Sequence, residues 1–152
     1  MVVHMIRDGV KLPEGVENKI PDLVRKVGCD PDVIAMFAFG SLIQGALKPL
    51  SDLDFGVLLT ARMGKKQRLQ KHLELSNVFT DFFRTDEIDL IVLNDAPLRF
   101  AFEILKSGKL LVCSDRSEFT VYYERVIKTY LDFKPLRDRF DRVFLKGIGY
   151  YG

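Results

Sequence analysis

The stretch that decides the reading is "FAFGSLIQGALKPLSDLDFGVLL", Phe37 to Leu59. A glycine-serine pair, a second glycine and a proline precede two aspartates, Asp52 and Asp54, set one residue apart in an apolar run. Charges seldom interrupt a buried strand without a partner. Side chains two apart on a strand share a face, so Asp52 and Asp54 project together while Leu53 and Phe55 turn into a core. Two carboxylates that close repel each other, and a divalent cation removes the penalty. Magnesium takes a few carboxylates, water and substrate phosphate oxygens rather than a full protein cage. Asp-x-Asp at the start of a strand therefore reads as a magnesium clamp.

The residues upstream complete the pattern. "DVIAMFAFG" is β-branched and aromatic and reads as a buried strand ending at Gly40. "SLIQGAL" can form a short helix with Ser41 as its N-cap. Glycine lets backbone approach a ligand closely, and amides at a helix N-terminus hold phosphate oxygens. Gly45 would keep that helix near the metal strand. These parts suggest a nucleoside triphosphate held by Gly40 and Ser41 and metallated at Asp52 and Asp54. A third carboxylate, Asp89, lies in "EIDLIVLN", again a lone charge in an apolar strand. If the two strands pair, the three carboxylates converge. Two bridged metals would then position an attacking oxygen and stabilise a leaving pyrophosphate. The plainer readings are a turn cap for Asp52 after Ser51, and ordinary turn or packing roles for Gly40 and Gly45. A turn cap does not account for Asp54, which falls inside the strand.

The rest of the chain alternates helices and strands. "KLPEGVENKIPDLVRKVGCD" predicts a helix with Val16, Ile20, Leu23, Val24 and Val27 on its apolar face and Gly28 as its stop; Pro21 marks an alternative start. Met63 to Arg84 is helical in composition, and its run "RMGKKQRLQKH" reads most simply as a solvated face that includes a surface His72. "PLRFAFEILKSG" predicts a helix with proline at its start and glycine past its end. "KLLVCSD" is a short strand. "SEFTVYYERVIKTYLDF" is a helix, with Pro135 as a kink or break before "LRDRFDRVFLKGI". Tyr122, Tyr123, Tyr130, Phe133, Phe140 and Phe144 are read as core or a subunit interface. This order gives an α+β domain with a mixed sheet and helices mainly on one face.

Composition bounds the function. With 152 residues, 47% hydrophobic and 29% charged, the chain can build a packed core. A formal charge of +2 is too small to argue for direct nucleic-acid binding. The two cysteines, Cys29 and Cys113, lack metal or disulfide spacing and fit a reducing cytoplasm. "MVVHMIRDG" has no secretory pattern, and no apolar run approaches the roughly 18 residues of a membrane span.

"GSLIQGALKPLSDLDFGVLL" resembles the Gly-Ser-x3-Gly-x5-Ser-Asp-x-Asp signature of minimal nucleotidyltransferases, of the DNA-polymerase-β-like superfamily. "EIDLIVLNDAPLRFAFEILKSGKLLVCSD" is similar to the family's third-carboxylate strand and the elements after it. "YYERVIKTYLDFKPLRDRF" resembles the C-terminal helix of MNT antitoxins. The resemblance implies a single nucleotidyltransferase domain over 1–152, with a motif region over 33–115 and a helical region over 116–146. It implies transfer of AMP from ATP, with magnesium, to a tyrosine of a HEPN-domain RNase toxin. Gly40, Ser41, Gly45 and Ser51 would form the nucleotide-binding set. Asp52 and Asp54 would bind both metals, and Asp89 would bind the catalytic metal and help activate the acceptor hydroxyl. Gln44 stands where arginine is common, which removes a possible phosphate contact. The rival readings are a non-catalytic antitoxin that covers its toxin, and a small-molecule nucleotidyltransferase of the aminoglycoside-modifying kind. A homo- or hetero-oligomer is compatible with either.

Overall fold

The apolar run ahead of Gly40 forms strand β1, Val33–Phe39, and the run after Asp52 forms β2, Leu53–Leu59. The computed structural model describes residues 16–39 and 53–147. β3 is Ile88–Val92 and β4 is Lys109–Cys113. The strand order is β3-β2-β1-β4. β1 runs antiparallel to β2 and β4, whereas β2 and β3 are parallel, so the sheet is mixed as expected. A parallel pair needs a crossover. Helix α2, Lys65–Phe83, supplies it.

Alternation along β2 divides its side chains between two layers. Leu53, Phe55, Val57 and Leu59 face α1, Val16–Gly28, and α2. There they join Leu23, Val27, Leu75, Phe79 and Phe83. The Phe55 ring stacks on Phe83 at 5.8 Å and meets Phe79 edge-on at 5.1 Å. Each such buried ring stabilises the fold by about 1.5–3 kcal/mol. The opposite layer joins Ile34, Phe37 and Leu58 to α3, Leu98–Ser107, and α4, Arg116–Gly147. Among the described residues, β2 gives this second core only Leu58. The end of that face carrying Asp54 and Asp89 lies outside the core, so the helices complete their coverage on one face only.

Three polar ties fix the frame. Asn94, in the 3-10 turn Leu93–Asp95 after β3, continues the β2–β3 ladder with its side chain. Its Oδ1 accepts from the Leu59 amide at 2.9 Å, and its Nδ2 donates to the Leu59 carbonyl at 2.8 Å. Tyr122 donates its hydroxyl to the Leu93 carbonyl at 3.1 Å, holding α4 to the same turn. Burial pushes the Tyr122 hydroxyl up to about 12. Lys71 of α2 reaches Asp30 at 2.6 Å and Asp32 at 3.2 Å in the α1–β1 connection. Burial alone would lower the Lys71 ammonium, but the two carboxylates outweigh it and hold the group above its ordinary value.

Helices run through both prolines. α1 begins at Val16 and includes Pro21, so the alternative start is not used. Pro21 lies early in the helix, where only one intrahelical bond is forgone. Pro135 does not break α4, which continues to Gly147. The aromatic side chains of α4 divide: Tyr122 and Tyr130 are buried, while Tyr123 and Phe133 are exposed. Phe140 and Phe144 lie outside the described side chains.

Gly108 follows α3, as expected, and its reason is close approach. A Cβ there would stand 2.5 Å from the Ile104 carbonyl oxygen and 3.3 Å from that of Ala38. Gly108→Ala is expected to cost about 1–3 kcal/mol, read as a lower urea midpoint. Asn94→Ala leaves both backbone groups of buried Leu59 without a partner and is expected to cost about 2 kcal/mol or more. An unchanged midpoint for Asn94→Ala would show that the ladder does not need this side chain.

Candidate active site

β2 and β3 pair with Asp54 opposite Asp89. Register partners on parallel neighbours present their side chains to the same face, and adjacent strands lie about 4.8 Å apart. The two carboxylates therefore stand side by side, opposite the face that buries Leu53, Phe55 and Leu90. Asp54 is half-buried and Asp89 is exposed. On the other side of β2, Phe39 is the register partner of Asp54. The next residues in the chain are Gly40 and Ser41. Across the sheet the order is thus the end of β1, then Asp54, then Asp89. Asp52, Gly40, Ser41, Gly45 and Ser51 lie outside the described residues, as do Gln44 and His4.

Among the described residues, no three or more His, Cys, Asp and Glu side chains converge as a metal site. Asp54 and Asp89 supply two oxygen donors on one face. An oxygen-only set fits a hard divalent cation such as magnesium rather than zinc, which favours nitrogen and sulfur ligands.

The basic run of α2 does not read out as a solvated face. Lys65 and Lys66 are exposed, but Arg68, Lys71 and His72 turn inward to specific partners. Arg68 forks onto Asp95, with Nε to Oδ2 at 2.9 Å and Nη2 to Oδ1 at 2.7 Å. His72 Nε2 donates to the carbonyl of Leu90 at 2.6 Å, one residue beyond Asp89. These contacts lash α2 to the outer side of β3. Between them opens a cavity of about 830 Å³, lined in part by Lys65, Lys66, Leu69, Asp89, Ile91 and Phe100. Sequence reasoning missed this groove. Its residues come from α2, β3 and α3, and only the crossover geometry brings them together.

A model of the family described as polymerase beta, nucleotidyltransferase, matches residues 18–117. The chain belongs to that family and is a nucleotidyltransferase. Solved structures agree on the fold. One chain of a crystal structure of a toxin-antitoxin with AMP-PNP is 25% identical, with a TM-score of 0.59 over 85% of this chain and 98% of that one. One chain of the toxin-antitoxin MntA-HepT is 22% identical, with a TM-score of 0.57 over 84% of this chain and 95% of that one. One chain of a tri-AMPylated Shewanella oneidensis HEPN toxin in complex with MNT antitoxin is 23% identical, with a TM-score of 0.54 over 84% and 94%. No curated protein matches the sequence significantly.

The Arg68–Asp95 fork gives a pH signature. The hydrogen bond from Arg68, against a smaller opposing effect of burial, holds the Asp95 carboxyl below its ordinary value. A carboxyl lowered on folding stabilises the protein above its unfolded pKa and loses that contribution as pH falls through the folded value. The stability difference between wild type and Asp95→Asn should therefore be steady near neutrality and shrink below about pH 4. The pair is partly exposed, so the plateau is expected to be at most about 1 kcal/mol by urea unfolding. A difference that grows on acidification would contradict this tie.

Proposed function

We propose that this nucleotidyltransferase is an antitoxin that transfers AMP from ATP to a tyrosine of a cognate HEPN-domain toxin. The observation that carries the reading is the register of Asp54 with Asp89, at the end of a sheet face that lies outside both described cores. It is supported by the similar chains in toxin-antitoxin crystal structures, one with AMP-PNP and one with a tri-AMPylated HEPN toxin. No described helix is long and apolar enough to cross a membrane, and Cys29 and Cys113 are free thiols, which suits a reducing cytoplasm.

In this reading Gly40, Ser41, Gly45 and Ser51 would hold the triphosphate. Asp89, the more exposed carboxylate, accepts the proton of the tyrosine hydroxyl. The phenolic oxygen attacks the α-phosphorus in line. A bond forms between them as the bond from the α-phosphorus to the bridging oxygen of pyrophosphate breaks, and pyrophosphate departs. Asp54 and Asp89, with Asp52, would hold magnesium, which neutralises charge on the phosphates when bound. Phe39 and the buried side chains behind Asp54 fix the strand ends, so the carboxylates need little reorganisation.

Mass spectrometry of the toxin after incubation with this protein, ATP and magnesium is expected to show one or more added AMP groups on tyrosine. Asp54→Asn and Asp89→Asn are each expected to lower the transfer rate by about 100-fold or more. If wild-type protein leaves the toxin unmodified yet neutral, the enzyme acts only by covering its partner. Labelled AMP on soluble small molecules, but not on the toxin, would instead assign a small-molecule acceptor.

A further inference from the structure

We propose that the groove along the outer side of β3 docks the acceptor, as an acidic, tyrosine-bearing segment of the toxin. The inference rests on the activity proposed above and adds where the second substrate approaches. In-line displacement brings the attacking oxygen in opposite the leaving pyrophosphate. In the function proposed above the residues that follow β1 hold the triphosphate, and Phe39, the last residue of β1, is the register partner of Asp54 on the side away from β3. Asp89 lies on the other side of Asp54, at the outermost strand of the described sheet. The acceptor must then come from beyond β3, and Asp89 lines the cavity found there.

The groove has the chemistry for an aromatic side chain in a polar segment. Leu69 is 61% exposed and Phe100 is 41% exposed, so both offer apolar surface to an occupant of the groove. The Phe100 ring is held edge-on by Phe39 at 5.9 Å, which ties this wall to the register partner of Asp54. Arg68 and Asp95 satisfy each other, leaving Lys65 and Lys66 as the positive rim. That charge favours an acidic segment and would draw it in at low salt. The occupant does not extend the sheet as a further strand past Leu90, because His72 already takes that outward carbonyl. Recognition is therefore by side chains, and a segment without the tyrosine gains nothing from the register of β3.

The test is steady-state AMP transfer with toxin and ATP varied separately, for wild type, Leu69→Glu, Phe100→Ala and the double variant Lys65→Glu, Lys66→Glu. Each change is at an exposed position, and the charge and apolar variants stand independently. The proposal expects KM for the toxin to rise about tenfold or more in each, with KM for ATP within about twofold of wild type. It also expects added salt to weaken wild-type toxin binding more than that of the charge-reversed variant. A raised KM for ATP with an unchanged KM for toxin would overturn the proposal and give the groove to the nucleotide. Unchanged values for both would overturn it as well. Wild-type protein that transfers no AMP would overturn the activity itself and this proposal with it; transfer by wild type with unaffected variants would overturn the docking site alone.

Discussion

The parallel pairing of β2 with β3 is the constraint on which the rest depends. It alone sets Asp54 beside Asp89, because a slip of one residue would turn one carboxylate into the core. The apolar alternation enforces the register. Leu53, Phe55 and Val57 on β2, and Leu90 and Val92 on β3, are buried under the same helices. Asn94 then locks the far end by taking both backbone groups of Leu59, and the Leu53 amide donates to the Glu87 carbonyl at 2.9 Å at the near end. A pair of charges is thus held on one face by hydrophobic burial on the other.

Helix α2 does two jobs in this arrangement. Its buried side, Leu75, Phe79 and Phe83, packs under the sheet and makes the parallel crossover possible. Its basic side is divided between inward ties and an open rim. Lys71 holds the entry to β1, Arg68 and His72 hold the outer side of β3, and Lys65 and Lys66 stay in solvent. The same helix therefore positions β3, with Asp89, and shapes the groove beside it.

Much of this was legible in the sequence, for reasons that can be named. The strands announced themselves as apolar runs rich in β-branched and aromatic residues, and α3 because proline and glycine bracket it. Asp89 was found as a charge out of place in an apolar run, and its pairing with the Asp54 strand was the open condition that the register meets. Pro135 was read as a kink or break, and the helix continues through it. His72 and Arg68 were hidden inside a basic run because sequence gives no sign of which cations on a helix turn inward. Asn94 was read as the last residue of the third strand, since a side chain that completes a ladder from the following turn has no local signature. The glycine-serine segment was the plainest motif in the sequence, and its residues are those the structure leaves undescribed.

The central claim is that Asp54 and Asp89 act as one unit on one cation. Titration of manganese into the protein with a non-hydrolysable ATP analogue, for wild type, Asp54→Asn, Asp89→Asn and the double variant, tests it directly. If the two carboxylates share the ion, either single change removes most of the tight binding, and the double change removes little more. Losses that simply add, or metal binding indifferent to Asp89, would contradict the account.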